Sequence, residues 1–185
     1  MRGVFPHEIS FLLDLPWRNI VLSPQELVTR LPLRATDHVL EVGAGPGFYS
    51  VEVARKIPKG YLELLDLQPE MLKKARRKLE AKGLSNVGYT LGDAGLLPFE
   101  EASFDVIFLV AVLGEIADQR AFLSEACCVL KLGGTLSISE HLPDPDFSPF
   151  AKVRSLIEKE GFEFIERYGR RWSYTVNFRK FAAES

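Results

Sequence analysis

Apolar and polar positions along the chain fall into two alternating patterns. Short, nearly continuous apolar runs predict buried strands at Asp37–Val42, Tyr61–Leu67, Val87–Leu91, Asp105–Val112 and Thr135–Glu140. Between them, apolar residues three and four apart predict amphipathic helices at Phe48–Ile57, from Pro69 to about Gly83, and at Gln119–Leu130. Buried strands separated by amphipathic helices are typical of an α/β protein with a parallel sheet covered on both faces.

The C-terminal part of the chain breaks this alternation. A helix predicted near Phe150–Glu160 is followed by a strand at Glu163–Tyr168, a turn at Gly169–Arg171 and a strand at Trp172–Phe178. Strands joined by so short a link must run antiparallel. We therefore predict a doubly wound sheet that ends in an antiparallel hairpin.

Composition narrows the class of protein. The 185 residues suit one domain, and a formal net charge of −2 gives no reason to expect nucleic acid or an anionic membrane as partner. No apolar stretch is long enough to span a bilayer, and the N-terminus lacks the apolar region of a signal peptide, so we expect a cytoplasmic protein. The two cysteines, Cys127 and Cys128, are adjacent, which suits neither a disulfide scaffold nor a zinc site, and no metal is expected.

The first predicted strand ends in a glycine-rich loop. The loop follows Glu41 and reads Gly43-Ala44-Gly45-Pro46-Gly47, with glycines that permit a tight turn and close approach of a ligand to the backbone. Such loops occur in many nucleotide-binding folds, but this spacing is not the G-x-G-x-x-G of dinucleotide sites, and Phe48 stands where a small residue is needed. A small anion such as a carboxylate is therefore favoured over a pyrophosphate.

Two more carboxylates stand at strand ends. Asp66 ends the second strand, at about the separation from a glycine loop at which an acidic residue binds ribose hydroxyls. Asp93 follows the third strand, where it can accept a hydrogen bond from an exocyclic amine such as that of adenine. Because open α/β sheets bind ligands beyond the carboxyl ends of their strands, Glu41, Asp66 and Asp93 together indicate a nucleoside-containing ligand.

Four motifs in order carry a family resemblance. The segments VLEVGAGPGFYS, LLDLQPEML, GDAGLLPFEEASFDVIF and VLKLGGTLSISE resemble the successive motifs of class I S-adenosylmethionine-dependent methyltransferases, especially the ubiquinone/menaquinone-biosynthesis-like small-molecule group. The resemblance implies a Rossmann-like, seven-stranded sheet with S-adenosylmethionine across the strand ends. Cofactor contacts are then implied for Glu41 and the Gly43 and Gly45 backbone (methionyl part), Asp66 (ribose), Asp93 (adenine amine), Leu67, Met71 and Ala94 (walls around the base), and Val110 and Ala111 (beneath the ligand).

Departures from related subfamilies limit the chemistry. The chain lacks the Asn/Asp-Pro-Pro-Tyr signature of adenine- and glutamine-amine methyltransferases, and no cysteine stands at a strand end for covalent cytosine methylation. Many small-molecule members carry a histidine pair near position 114, where this chain has Gly114-Glu115. The candidate catalytic residues are His141, at the end of the fifth strand, and Glu115, after the fourth; Glu140 also lies near the acceptor in this prediction.

We expect one methyltransferase domain over residues 1–185. Residues 1–34 would form a helical cover segment, because related enzymes often cover the substrate with the corresponding apolar segment, and residues 35–185 would form the cofactor-binding core. The resulting hypothesis is methyl transfer from S-adenosylmethionine to a small-molecule acceptor. Two alternatives stay open, an NAD(P)-dependent oxidoreductase and a non-catalytic S-adenosylmethionine-binding sensor or partner subunit.

Overall fold

The computed structural model describes residues 22–181. Within them the strands are β1 His38–Val42, β2 Tyr61–Asp66, β3 Val87–Leu91, β4 Phe104–Val110, β5 Leu130–His141, β6 Phe162–Arg170 and β7 Ser173–Lys180. The α-helices are α1 Pro24–Arg30, α2 Ser50–Lys56, α3 Pro69–Glu80, α4 Gln119–Val129 and α5 Phe150–Ile157, the last continued by a 3₁₀ turn at Glu158–Glu160.

The strands form a single sheet in the order β3-β2-β1-β4-β5-β7-β6. Strands β1 to β5 are parallel to one another, whereas β7 runs antiparallel to both β5 and β6. The order reverses at β1, from which the chain winds first toward β3 and then toward β6. The predicted doubly wound, mostly parallel sheet with an antiparallel C-terminal hairpin is confirmed.

Helices cover both faces of the sheet. One apolar core joins α1, α2 and α3 to one face, with Leu27, Val53 and Leu79 fully buried. The other core joins α4 and α5 to the opposite face through residues such as Phe122 and Val153. Because side chains alternate along a strand, neighbouring residues of β5 belong to different faces.

Helix α1 is fastened to its face by buried polar contacts. The Arg30 guanidinium Nη1 donates to Thr175 Oγ1 at 3.0 Å, and the Thr175 and Ser139 hydroxyls lie 2.8 Å apart. The Asn177 amide donates to the Arg30 carbonyl at 2.8 Å. These bonds hold the helix that leads in from residue 22 against β5 and β7.

Two element starts differ from the prediction by two residues or more, and the other strand starts that differ do so by one residue. Helix α2 begins at Ser50 rather than Phe48, because Gly45 and Gly47 adopt positive φ angles of 54° and 75° and the chain is still turning there. Strand β5 begins at Leu130 rather than Thr135, so that Gly133 and Gly134, a pair typical of a turn, lie within the strand.

The predicted turn of the C-terminal hairpin was also displaced. The turn is formed by Arg171 and Trp172, and β7 begins at Ser173 rather than at Trp172. Gly169, which the sequence suggested as the turn itself, pairs with Tyr174 inside the ladder at a φ of 86°. A side chain there would approach the Ser173 carbonyl to 2.4 Å, so glycine serves the close strand pairing and not the turn.

Candidate active site

The C-terminal ends of the five parallel strands meet at one edge of the sheet. Val42, Asp66, Leu91, Val110 and His141 are the last residues of β1 to β5. This edge brings together the strand-end residues that the sequence singled out, and it is the place where open α/β sheets bind ligands.

The glycine loop follows β1 at this edge. Gly43 donates its N–H to the Leu65 carbonyl at 2.8 Å and has a φ of 69°. A Cβ atom at this position would lie 2.6 Å from Val112 Cγ2, so the loop passes the segment after β4 too closely for any side chain. Position 43 therefore requires glycine for both its conformation and its space.

Glu41 ties the end of β1 to the start of α2. Its side chain is buried, with 3% of its surface exposed, and Oε2 accepts a hydrogen bond from the Ser50 hydroxyl at 2.6 Å. Glu41 is predicted at the cofactor from the sequence, but Ser50 is not, because a small polar side chain at the first position of a helix gives no distinctive signal.

Asp66 joins the end of β2 to the glycine loop. Its Oδ2 atom accepts from the Gly45 N–H at 2.8 Å, and Oδ1 accepts from the Gln68 N–H at 2.9 Å. Burial raises the pKa of the Asp66 carboxyl above its usual value, and the backbone donors partly offset that effect. The structure thus brings two predicted cofactor-binding elements into direct contact.

Asp93 lies exposed in the loop after β3. Its Oδ1 atom accepts from the Gly95 N–H at 2.7 Å, which folds the loop back on itself. Farther along, the Leu97 N–H donates to Oε2 of Glu125 on α4 at 2.9 Å. Glu125 is not predictable from the sequence, because its hydrogen-bond partner, Leu97, lies 28 positions away and no motif near either residue indicates the contact.

The apolar residues predicted around the base differ in exposure. Met71 and Ala94 are buried, whereas half of the Leu67 surface is exposed at the end of β2. Val110 is buried, and Ala111, which follows it at a φ of 56°, donates its N–H to the Ser139 carbonyl at 2.8 Å. That bond fixes the end of β4 against β5.

His141 and Glu140 lie on opposite faces of the sheet. Alternation along β5 places His141, which is buried, on the side of Ser139 and α1. Glu140 is 2% exposed on the other side, where its Oε2 atom accepts from the Ser148 N–H at 3.1 Å. Burial is the main reason why the pKa of Glu140 rises to about 7.

The packing around Gly114 leaves no room for a side chain at this position, near which many small-molecule methyltransferases carry a histidine pair. A Cβ atom at position 114 would lie 2.3 Å from the Asp146 carbonyl oxygen, because the loop between β5 and α5 packs directly against this glycine. Glu115 is half-buried beside it and donates its N–H to the Val112 carbonyl at 2.9 Å. A histidine cannot occupy position 114 without moving that loop.

Comparison with known protein families identifies the family of this chain. Residues 33–165 match the family model described as "Methyltransferase domain". The chain belongs to this methyltransferase family. The resemblance identified from the four sequence motifs is thereby confirmed.

Two relatives among the curated proteins agree with this family assignment. A demethylmenaquinone methyltransferase from Tropheryma whipplei is 36% identical over 132 residues, covering 71% of this chain and 51% of that protein. The ubiquinone/menaquinone biosynthesis C-methyltransferase UbiE of Teredinibacter turnerae is 32% identical over 160 residues, covering 83% and 61%. The chain therefore spans about half to three-fifths of the length of these relatives.

The fold has a near match among solved structures. A SAM-dependent methyltransferase from Aquifex aeolicus superposes with a TM-score of 0.88 at 24% identity, covering 95% of this chain and 99% of that one. Over residues 22–181, the present chain contains no helix with the length and apolar character needed to cross a membrane.

Proposed function

We propose that this protein transfers a methyl group from S-adenosylmethionine to a small-molecule acceptor. The observation that carries the proposal is the contact between Asp66 and the Gly45 N–H, which joins the motifs proposed to bind the ribose and the methionyl part in a methyltransferase-family domain. An NAD(P)-dependent oxidoreductase is disfavoured, because neither the loop spacing nor the family match supports a dinucleotide site.

The residues at the strand ends suit S-adenosylmethionine. Gly43 allows the tight loop that packs against Val112, Asp66 presents a buried carboxylate suited to two hydroxyl donors, and the half-exposed Leu67 gives apolar surface for a base. Glu41, Gly45, Met71, Asp93, Ala94, Val110 and Ala111 complete the proposed cofactor set. When bound, S-adenosylmethionine supplies an activated methyl group on a sulfonium.

The acceptor is proposed to lie between the end of β5 and the N-terminal segment. The named relatives are quinone-biosynthesis methyltransferases, so a hydroxylated quinone-type ring is the first acceptor class to assay. His141 would take the proton from the ring hydroxyl, which increases the electron density at the carbon to be methylated. Glu115, in the segment after β4, is the second candidate for that base.

The N-terminal residues are proposed to cover the acceptor within a single domain of residues 1–185. Of the predicted cover, residues 1–34, the structure describes the part from Leu22 onward. Leu22 is buried there, and its carbonyl accepts a hydrogen bond from the Tyr49 hydroxyl at 3.3 Å, which places the start of the described chain beside the glycine loop. Residues 1–21 lie outside the described residues. The expected cytoplasmic location stays a prediction.

The test is methyl transfer from isotope-labelled S-adenosylmethionine to a panel of hydroxylated quinone-type acceptors. If the acceptor must lose a proton, His141→Ala lowers turnover about 10²–10⁴-fold with cofactor affinity nearly intact. If alignment alone suffices, deletion of residues 1–21 is the more damaging change. Glu140→Gln, on the opposite face of the sheet, is the matched control and keeps wild-type turnover.

The outcomes separate the alternatives. Binding of S-adenosylmethionine without transfer to any acceptor would identify a non-catalytic binding protein. Full activity in both the His141→Ala and the truncated protein would place the acceptor elsewhere.

A further inference from the structure

An exposed apolar and basic rim lies beside the proposed acceptor site. It consists of Leu142, just after β5, and of Arg170, Arg171 and Trp172 at the tip of the β6–β7 hairpin; these four residues are called the hairpin rim below. Trp172 is 53% exposed and Leu142 47% exposed. The Leu142 N–H donates to the Trp172 carbonyl at 2.8 Å, so the two residues form one continuous surface.

The residues of this turn are unusual for their position. Turn residues are mostly small and polar because they face solvent; neither residue of this turn has a positive φ, so its backbone does not require Asn, Asp or Gly. Here the two residues are Arg171 and Trp172, and about half of the indole surface is exposed at the hairpin tip. Its ring contacts the Arg170 guanidinium, and the large exposed remainder of its apolar surface indicates a contact outside the chain.

The charges of the two arginines in the rim are not neutralised by a carboxylate of the described residues. Arg30, Arg55 and Arg154 each form an ion pair with a glutamate of their own helix. By contrast, neither Arg170 nor Arg171 has a carboxylate partner within residues 22–181, and the Arg170 guanidinium lies 5.8 Å from the centre of the Trp172 ring. Positive charge and aromatic surface therefore face solvent together.

The position of the rim connects it to the candidate site. His141 pairs with Ser173 across β5 and β7, so the hairpin tip lies at the edge of the sheet where the parallel strands end. A molecule bound to the rim would face the same side of the protein as the proposed acceptor. A formal charge of −2 for the whole chain does not exclude a basic hairpin tip, where Arg170 and Arg171 are adjacent and exposed.

We propose that the hairpin rim docks the protein on an anionic lipid surface, from which a lipid-soluble acceptor reaches the site. This inference rests on the proposed function, and it requires an acceptor with enough apolar surface to partition into membranes. Tryptophan favours the boundary between hydrocarbon and water, and arginines there attract anionic headgroups. One indole beside an aliphatic Leu142 suits a bilayer surface better than RNA, which is bound by several aromatic rings along a groove.

Vesicle binding tests the proposal. In a Trp17→Phe background, which leaves Trp172 as the single tryptophan, vesicles of phosphatidylcholine with phosphatidylglycerol should shift the fluorescence of Trp172 to shorter wavelength. Phosphatidylcholine alone should bind more weakly, and added salt should weaken binding to the mixed vesicles. In co-sedimentation, Arg170→Ala/Arg171→Ala and Trp172→Ala should each lower vesicle affinity about tenfold or more.

The control is Leu132→Ala. Leu132 is an exposed leucine like Leu142, with 66% of its surface exposed, but it lies near the start of β5, at the opposite end of that strand. Its replacement by alanine should leave vesicle binding unchanged. Equal binding by the wild-type and Trp172→Ala proteins would overturn the proposal. So would absence of vesicle binding, preferential binding of single-stranded RNA, or dimerisation that depends on Trp172.

The test also distinguishes failure of docking from failure of the proposed function. If the protein binds S-adenosylmethionine and methylates a water-soluble acceptor but does not bind vesicles, the docking proposal is wrong and the proposed function is retained. If it binds neither S-adenosylmethionine nor vesicles, both proposals fail. Rim variants that bind S-adenosylmethionine like the wild type but lose only vesicle affinity support docking.

Discussion

Asp66 is the residue proposed to bind the ribose hydroxyls of the cofactor. Replacement of Asp66 by Ala should weaken S-adenosylmethionine binding by roughly 1.5–3 kcal/mol, the loss expected when hydrogen bonds to a charged group disappear. The change also removes the acceptor of the Gly45 N–H, so the glycine loop loses one of the hydrogen bonds that hold it in place. Calorimetric titration of the variant measures the effect, and an affinity equal to wild type would show that Asp66 does not bind the ribose.

Glu140 makes the stability of the protein depend on pH. Its pKa is about 7 in the folded chain, against 4.5 for an ordinary glutamate, so between these values the folded state binds the proton more tightly than the unfolded state. The free energy of unfolding should therefore fall by about 3 kcal/mol as pH rises from below 4.5 to above 7.

Glu140→Gln isolates that contribution. The amide cannot ionise, so the variant should lose this part of the pH dependence and should be more stable than wild type above pH 7. Urea denaturation of both proteins at pH 5 and pH 8 measures the difference. A constant gap between the two proteins at both pH values would show that Glu140 does not titrate in this range.

Individual residues were predictable where their position in the chain defines their place in the sheet. Asp66 follows an apolar run, and the end of such a run is the end of a strand. Ser50, Glu125 and Arg30 were not recognised, because each acts through a partner that is remote in sequence: Glu41, Leu97 and Thr175. No pattern within a short window contains both members of such a pair.

At the level of elements, the β1–α2 loop depends on its first glycine. Gly43→Ala should destabilise the fold by about 1–2 kcal/mol through its positive φ alone, and by a further 1–3 kcal/mol through overlap with Val112. It should also weaken cofactor binding, since the loop must shift. Chemical denaturation and calorimetry measure the two effects.

Gly83→Ala is the matched control. Gly83 has a nearly equal φ of 70°, but a Cβ atom there would meet nothing within 4 Å, so only the conformational cost applies. Equal destabilisation by the two substitutions would contradict the close packing of the loop against Val112.

Element types and the ends of β1 and β3 followed from periodicity, but the starts of α2 and β5 and the place of the hairpin turn did not. The switch between continuous apolar runs and helical spacing identified the five parallel strands and the helices between them. The hairpin turn was misplaced because Gly169 looked like a turn residue, whereas the ladder needs it for lack of space beside Ser173. Only the three-dimensional pairing shows that requirement, and with it the exposure of Trp172.

At the scale of the whole molecule, the sheet order brings scattered residues to one edge. Glu41, Asp66 and Asp93 belong to three successive strand units, and the parallel topology places the ends of those units side by side. The sequence predicted this assembly because parallel strands with crossover helices leave no other arrangement of their carboxyl ends. The acceptor side depends on loop packing, such as Asp146 against Gly114, which short sequence patterns do not encode.

Direct titration of the protein with S-adenosylmethionine tests the central claim. Isothermal titration calorimetry should show saturable binding of one equivalent of S-adenosylmethionine, and of S-adenosylhomocysteine, with no binding of NAD under the same conditions. Absence of heat with millimolar S-adenosylmethionine, together with saturable binding of NAD, would contradict the account.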